Sequence, residues 1–193
     1  MCLSSAPWGA PASSRRQTAF VFAVVVLGPP GSGKTAVLTA LHDLLADDHI
    51  SHAVVEVEAV AWASPPIADE QSFRHLAAIR SMYAEAGYPL ILCGATVTSA
   101  DYLRELLRAL ATDERLVVRL EASPGMLQKR ILEREPPGWS GLPRLLHGVD
   151  EIAATSRLLE DIDLVCSTEE TTPLSVAAQI RSARPALLLE RSS

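Results

Sequence analysis

Gly28-Pro29-Pro30-Gly31-Ser32-Gly33-Lys34-Thr35 spells G-x-x-x-x-G-K-[ST], a spacing suited to gripping a polyphosphate. Glycines at 28, 31 and 33 let the backbone turn tightly enough for successive N–H groups to face phosphate oxygens. A helix opening near Lys34 adds the positive end of its dipole. Lys34 would place a point charge on the β and γ phosphates, and the Thr35 hydroxyl would complete a Mg²⁺ shell with water and phosphate oxygens. The flanks agree with this reading. Residues 20–27 are apolar and β-branched enough for a buried strand, and Val37, Leu38, Leu41, Leu44 and Leu45 recur at helical spacing.

Two further groups could finish such a site. The stretch Val55-Glu56-Val57-Glu58 ends a second strand, and alternation puts both glutamates on one face, opposite Val55 and Val57. Glu58, nearer the strand end, could accept the proton of a substrate hydroxyl or ligate Mg²⁺ through water; Glu56 is the second candidate. Arg130 and Arg134 lie four apart on a helix and share a face, so both could lean over phosphates, which arginine grips bidentately. The Pro- and Gly-rich break at residues 136–141 would then be a short lid. The competing reading is a solvated, ion-paired face formed with Lys129, Glu133 and Glu135.

These residues need elements to hold them, and the chain alternates strand and helix signals. Expected strands are residues 20–27, 53–57, 90–93, 116–120 and 164–166; expected helices begin near Lys34 and cover 71–86, 98–112, 124–135, 142–161 and 173–184. Phe73, Leu76, Ile79 and Tyr83 should face the core, Gly87 should end their helix, Pro89 and Gly94 should bound the third strand, and Thr98 with Asp101 should form a capping box. Ser123 and Pro124 read as N-cap and first helical position. Alternation of this kind implies a parallel sheet covered on both faces, with ligands at the carboxyl ends of the strands.

Composition bounds the rest. The 193 residues, 48% of them hydrophobic, suffice for one core, read as a leader at 1–17, a domain at 18–186 and a tail at 187–193. A net charge of -6 argues against a nucleic-acid footprint. Cys2, Cys93 and Cys166 are too scattered for a disulfide framework or a metal cluster and fit a reducing cytoplasm. No window reaches the length of a membrane span, and Arg15-Arg16 before an apolar run is not an export signal, because cleavage there would remove a strand the fold needs. The third strand carries no acidic residue of the kind motor ATPases and signalling GTPases use for Mg²⁺, and no guanine-reading N-K-x-D stretch appears.

On Gly28 to Thr35, the acidic end of strand two, Arg130-x-x-x-Arg134 after Val117-Val118-Arg119-Leu120-Glu121-Ala122, and Ile162-Asp163-Leu164-Val165-Cys166-Ser167-Thr168, the chain resembles the small P-loop kinases of metabolites. That group includes adenylate kinase, gluconate kinase, adenylyl-sulfate kinase and the chloramphenicol phosphotransferase, and the likeness spans about residues 20–184. The resemblance implies an α/β three-layer fold with strand order 2-3-1-4-5, and ATP with Mg²⁺ as phosphate donor to a small-molecule acceptor. It also implies Arg130 over the adenine, Arg134 on the phosphates, and residues 167–172, including Ser167 and Thr168, along the base. Relatives often carry aspartate, sometimes followed by arginine, where this chain has Glu58-Ala59-Val60. Trp62 could stack on an acceptor or pack into a core or hinge. The alternative function is a nucleotide-binding or slow NTPase module acting as a switch or partner protein.

Overall fold

The structure, a computed structural model, describes residues 22–183. The expected leader and tail, Cys2, the Arg15-Arg16 pair, the first two residues of the expected first strand and the end of the last helix lie outside the described residues.

Apolar, β-branched runs form five parallel strands: β1 (Phe22–Leu27), β2 (His52–Glu56), β3 (Leu90–Ala95), β4 (Glu114–Glu121) and β5 (Leu164–Ser167). Their order in the sheet is β2-β3-β1-β4-β5, so the order implied by the resemblance is the one found. Every residue of β1 is buried, as a strand flanked by neighbours and covered on both faces must be. The connecting helices are α1 (Lys34–Asp47), α2 (Val57–Val60), α3 (Asp69–Glu85), α4 (Ala100–Leu110), α5 (Pro124–Arg134), α6 (Leu142–Arg157) and α7 (Pro173–Ala183).

Alternation along the strands divides the core. Ala23, Val25, Leu27, Ile91 and Cys93 pack with Leu76 of α3 and Leu103 and Leu106 of α4 on one face. Val24, Val26, Leu92 and Val118 pack with Leu38 and Leu41 of α1 and Val176 and Ile180 of α7 on the other. A third, smaller cluster of Ala122, Leu127, Ile131, Val149 and Ala153 joins α5 to α6, away from the sheet. Phe73, Ile79 and Tyr83 pack against the first cluster as expected.

Three local expectations give way to side-chain chemistry. Strand two stops at Glu56: Val57 opens a single helical turn closed by Ala61 N–H donating to Val57 O at 3.0 Å, so alternation no longer relates Glu56 to Glu58. Strand three runs through Gly94 to Ala95, because this glycine is a packing site; a Cβ there would stand 2.7 Å from Leu38 Cδ1 of α1. The cap of α4 is Ser99, whose hydroxyl oxygen accepts the Tyr102 N–H at 3.0 Å, instead of the Thr98 and Asp101 box. Helices α4 and α6 are also shorter than expected, ending at Leu110 and Arg157, with Ala111 in the left-handed region at φ 42°.

Candidate functional site

The loop between β1 and α1 sits at the carboxyl end of the central strand, where an open parallel sheet binds ligands. Gly31 and Gly33 have φ of 80° and 88°, which L side chains rarely adopt, and a Cβ on Gly31 would meet Leu127 O at 2.7 Å. Pro29 and Pro30 carry no N–H, so they shape the loop without donating to a ligand; Pro29 O instead accepts the Ser32 N–H at 3.1 Å. Helix α1 starts on Gly33 with no side-chain cap, which leaves its first-turn amides for an anion. Ser32 is fully buried, and its Oγ has no hydrogen-bond partner, a feature shared among the described residues only by Arg80 Nε. A buried orphan hydroxyl inside a loop of this geometry fits a ligand with acceptor oxygens.

Lys34 Nζ donates to Gly28 O at 2.9 Å and lies 3.4 Å from Pro29 O, so the ammonium folds back across the loop. Burial pushes its pKa down; Glu58 and then Glu56 oppose that shift, and Arg134 adds to it. Glu58, Glu56 and Arg134 thus lie within electrostatic range of Lys34 without bonding it, and the glutamates stand on a helical turn and at a strand end instead of on one strand face. Glu58 is held by a contact that the sequence did not reveal: its Oε1 accepts the Thr96 N–H, from the loop after β3, at 2.6 Å. The Thr35 hydroxyl is exposed and directed to no protein partner among the described residues, which suits a metal ligand.

The arginines part company despite their i, i+4 spacing. Arg130 is half-buried and ties three elements together: Nη1 donates to Thr168 Oγ1 at 3.0 Å and to Gly31 O at 3.3 Å, and Nη2 donates to Thr168 O. Arg134 is exposed and ion-paired to Glu135 at 2.6 Å, and Lys129 stands 3.9 Å from Glu133, so the outer side of α5 is the ion-paired face of the competing reading. Beside Arg130 a cavity of about 250 Å³ opens between the start of α1 and the β5–α7 connection, lined by Ser32, Gly33, Val37, Thr168, Thr171 and Val176 among others. Its mixed apolar and hydroxyl walls fit a heterocyclic base. Thr168 lines it, whereas Ser167 Oγ is engaged by the Glu169 N–H at 3.4 Å. Among the described residues no group of three or more His, Cys, Asp or Glu could hold a metal. No described helix is long and apolar enough to cross a membrane.

This loop, sheet order and cavity define a P-loop nucleotide-binding fold, and the chain belongs to the AAA domain family, whose model matches residues 24–154. Comparison with curated proteins gave no match. Solved structures similar in fold include a sugar kinase from Janibacter sp. HTCC2649, 20% identical, covering 86% of this chain and 95% of that one with a TM-score of 0.63. A gluconokinase from Sinorhizobium meliloti 1021 is 19% identical over 88% and 94% of the two chains, with a TM-score of 0.60. The tunicamycin resistance protein of Deinococcus radiodurans is 20% identical over 84% and 94%, with a TM-score of 0.56. The kinase-like architecture expected from the resemblance is therefore the one this chain has.

Proposed function

We propose that this chain transfers the γ-phosphate of MgATP to a hydroxyl of a small molecule. The observation that carries the reading is the uncapped start of α1, with Lys34 Nζ folded across the glycine loop beside a base-sized cavity. Gly31, Ser32, Gly33, Lys34 and Thr35 cradle the phosphates, and Lys34 exchanges its Gly28 carbonyl for phosphate oxygens. Mg²⁺, when bound through the Thr35 hydroxyl, offsets charge on the phosphates. Arg130 orders the base pocket through Thr168, and Arg134 exchanges Glu135 for phosphate as the segment after it closes.

Glu58 is the proposed base. Its Oε1 is fixed by Thr96, which leaves Oε2 to take the proton of the acceptor hydroxyl. As that proton moves to Glu58, the acceptor oxygen bonds to the γ-phosphorus and the bond from γ-phosphorus to the β–γ bridging oxygen breaks, releasing ADP. Buried, free Cys93 and Cys166 are consistent with a reducing compartment such as the cytoplasm.

Radiolabelled ATP offered with a panel of small acceptors tests transfer. With an acceptor in hand, Glu58→Gln should lower turnover about a hundredfold or more while nucleotide affinity changes little. Equal turnover in the variant would move the base to Glu56. Absence of transfer to any acceptor, with MgATP still bound, would favour the nucleotide-binding or slow NTPase module.

A further inference from the structure

We infer that a groove along the β2 edge of the sheet is a second ligand site, apart from phosphoryl transfer, and that it takes a small amine carrying an apolar ring. The groove follows from the sheet order. β2 is an edge strand, and its Ala53 and Val55 enter the core shared with α3 and α4. Among the described residues none of β2 joins the core under α1 and α7, and Val54, turned to that face by alternation, is 38% exposed. What remains is a groove of about 620 Å³ between α1 and β2, closed by Ala59 of α2 and by Tyr83 and Tyr88. Of the residues assigned to phosphoryl transfer, only Thr35 and the second-candidate base Glu56 line it; Glu58 does not.

The polar atoms of the groove are acceptors. Ile50 O can only accept, so His52 Nδ1 carries the proton of their 2.7 Å contact. With neutral rings, His52 Nε2 then accepts from His42 Nδ1 at 2.7 Å, and His42 Nε2 remains as an acceptor. Thr39 donates its hydroxyl proton to Thr35 O at 2.9 Å, which leaves its oxygen lone pairs. Glu56 adds a carboxylate four residues from His52, about 13 Å along the strand. The aromatic wall is fixed as well: Gly87, at φ 90°, turns the chain so that Tyr88 N–H donates to Tyr83 O at 3.0 Å, and the rings meet edge to face with centroids 5.7 Å apart. No lysine or arginine is among the described residues lining the groove. Lys34, within range of Glu56, is bonded to Gly28 O, and Arg80, whose buried Nε has no hydrogen-bond partner, lies outside the lining. A protonated amine supplies the donors and the charge that these acceptors lack, and its ring matches Leu38, Val54 and the two phenols.

The test titrates the full chain, without nucleotide and at about pH 8, above the ordinary histidine value, with phenylbutylamine, phenylbutanol and phenylbutyrate, which differ only in the group at the chain end. Backbone amide NMR shifts report both affinity and place. The amine should bind at least about tenfold more tightly than the carboxylate, with the alcohol between them. Its shifts should cluster on residues 35–42, 52–56 and 83–88. Glu56→Gln should bring amine and alcohol within about threefold of each other, and Val54→Arg, which sets a cation in the groove, should weaken the amine about tenfold. Carboxylate binding as tight as the amine, amine shifts centred elsewhere, or no binding of any probe would overturn the inference. A dimer in sedimentation that Val54→Arg dissociates would overturn it too, because a second copy would then fill the groove. Each of these results leaves phosphotransfer standing, and failure to bind MgATP would leave the amine site standing, since its test uses no nucleotide.

Discussion

At the residue scale the chemistry turns on how Lys34 is held. Its ammonium is buried, bonded to a carbonyl and lowered in pKa, so ligand-free protein releases that proton more readily than an unfolded chain with the ordinary value of 10.5. Between the lowered value and 10.5 the unfolded state binds more protons, and stability of the free protein therefore rises with pH across that window. Polyphosphate reverses the shift, so binding must take up protons there. Calorimetry below pH 10.5 in buffers of different ionisation enthalpy should show net proton uptake on binding, and Lys34→Arg, whose guanidinium stays charged, should abolish it. Arg130 makes a second case. The motif spacing was legible, but the guanidinium's partners were not, since Thr168 lies 38 residues away in sequence. Arg130→Ala leaves Thr168 O and Gly31 O without their donor and should lower stability by about 1–3 kcal/mol in denaturant unfolding while weakening MgATP binding. Unchanged stability would mean that the staple contributes nothing to the free protein.

At the element scale, the strands and the loop were legible because hydrophobic periodicity and a fixed motif announce them, while their order was implied only by the resemblance to small P-loop kinases. The places where the sequence reading slipped are those where a distant group decides the local outcome. Glu56 and Glu58 read as one strand face until Thr96 is seen to hold Glu58 on a helical turn, and Gly94 read as a strand end until Leu38 is seen lying against it. Gly31 combines positive φ with close approach to Leu127 O, so Gly31→Ala should cost about 1–3 kcal/mol in unfolding free energy and weaken nucleotide binding by displacing α5. The edge of the sheet carries a pH-sensitive contact as well: His42 Nδ1 and His52 Nε2 are 2.7 Å apart, and His52 Nδ1–H donates to Ile50 O at 2.7 Å. Burial lowers the His52 pKa from 6.5, the Ile50 bond raises it and His42 lowers it. Below 6.5 the unfolded chain binds the proton more readily, so this contribution is lost as pH falls and is fully present above 6.5. His52→Phe should flatten the fall in melting temperature on acidification from about pH 6.5 to 5; an unchanged slope would assign the acid sensitivity to other groups.

At the scale of the whole molecule, a buried central strand fixes the loop, two helical layers fix the sheet, and a small separate core joins α5 to α6 next to the proposed lid. That separation lets the segment after Arg134 move without disturbing the main core. Hydrogen exchange across residues 132–142 should accordingly slow when a non-hydrolysable MgATP analogue is added, as water contacts are replaced by phosphate contacts. Unchanged exchange would return Arg134 to its ion pair with Glu135. The functional expectations depend on one claim, that residues 28–35 bind the phosphates of MgATP through Lys34. Calorimetric titration of MgATP into wild type and Lys34→Ala tests it directly. The account predicts measurable affinity in wild type and a loss of at least about tenfold, or about 1.4 kcal/mol, in the variant, with the fold intact by circular dichroism. Affinity within about threefold of wild type would contradict it.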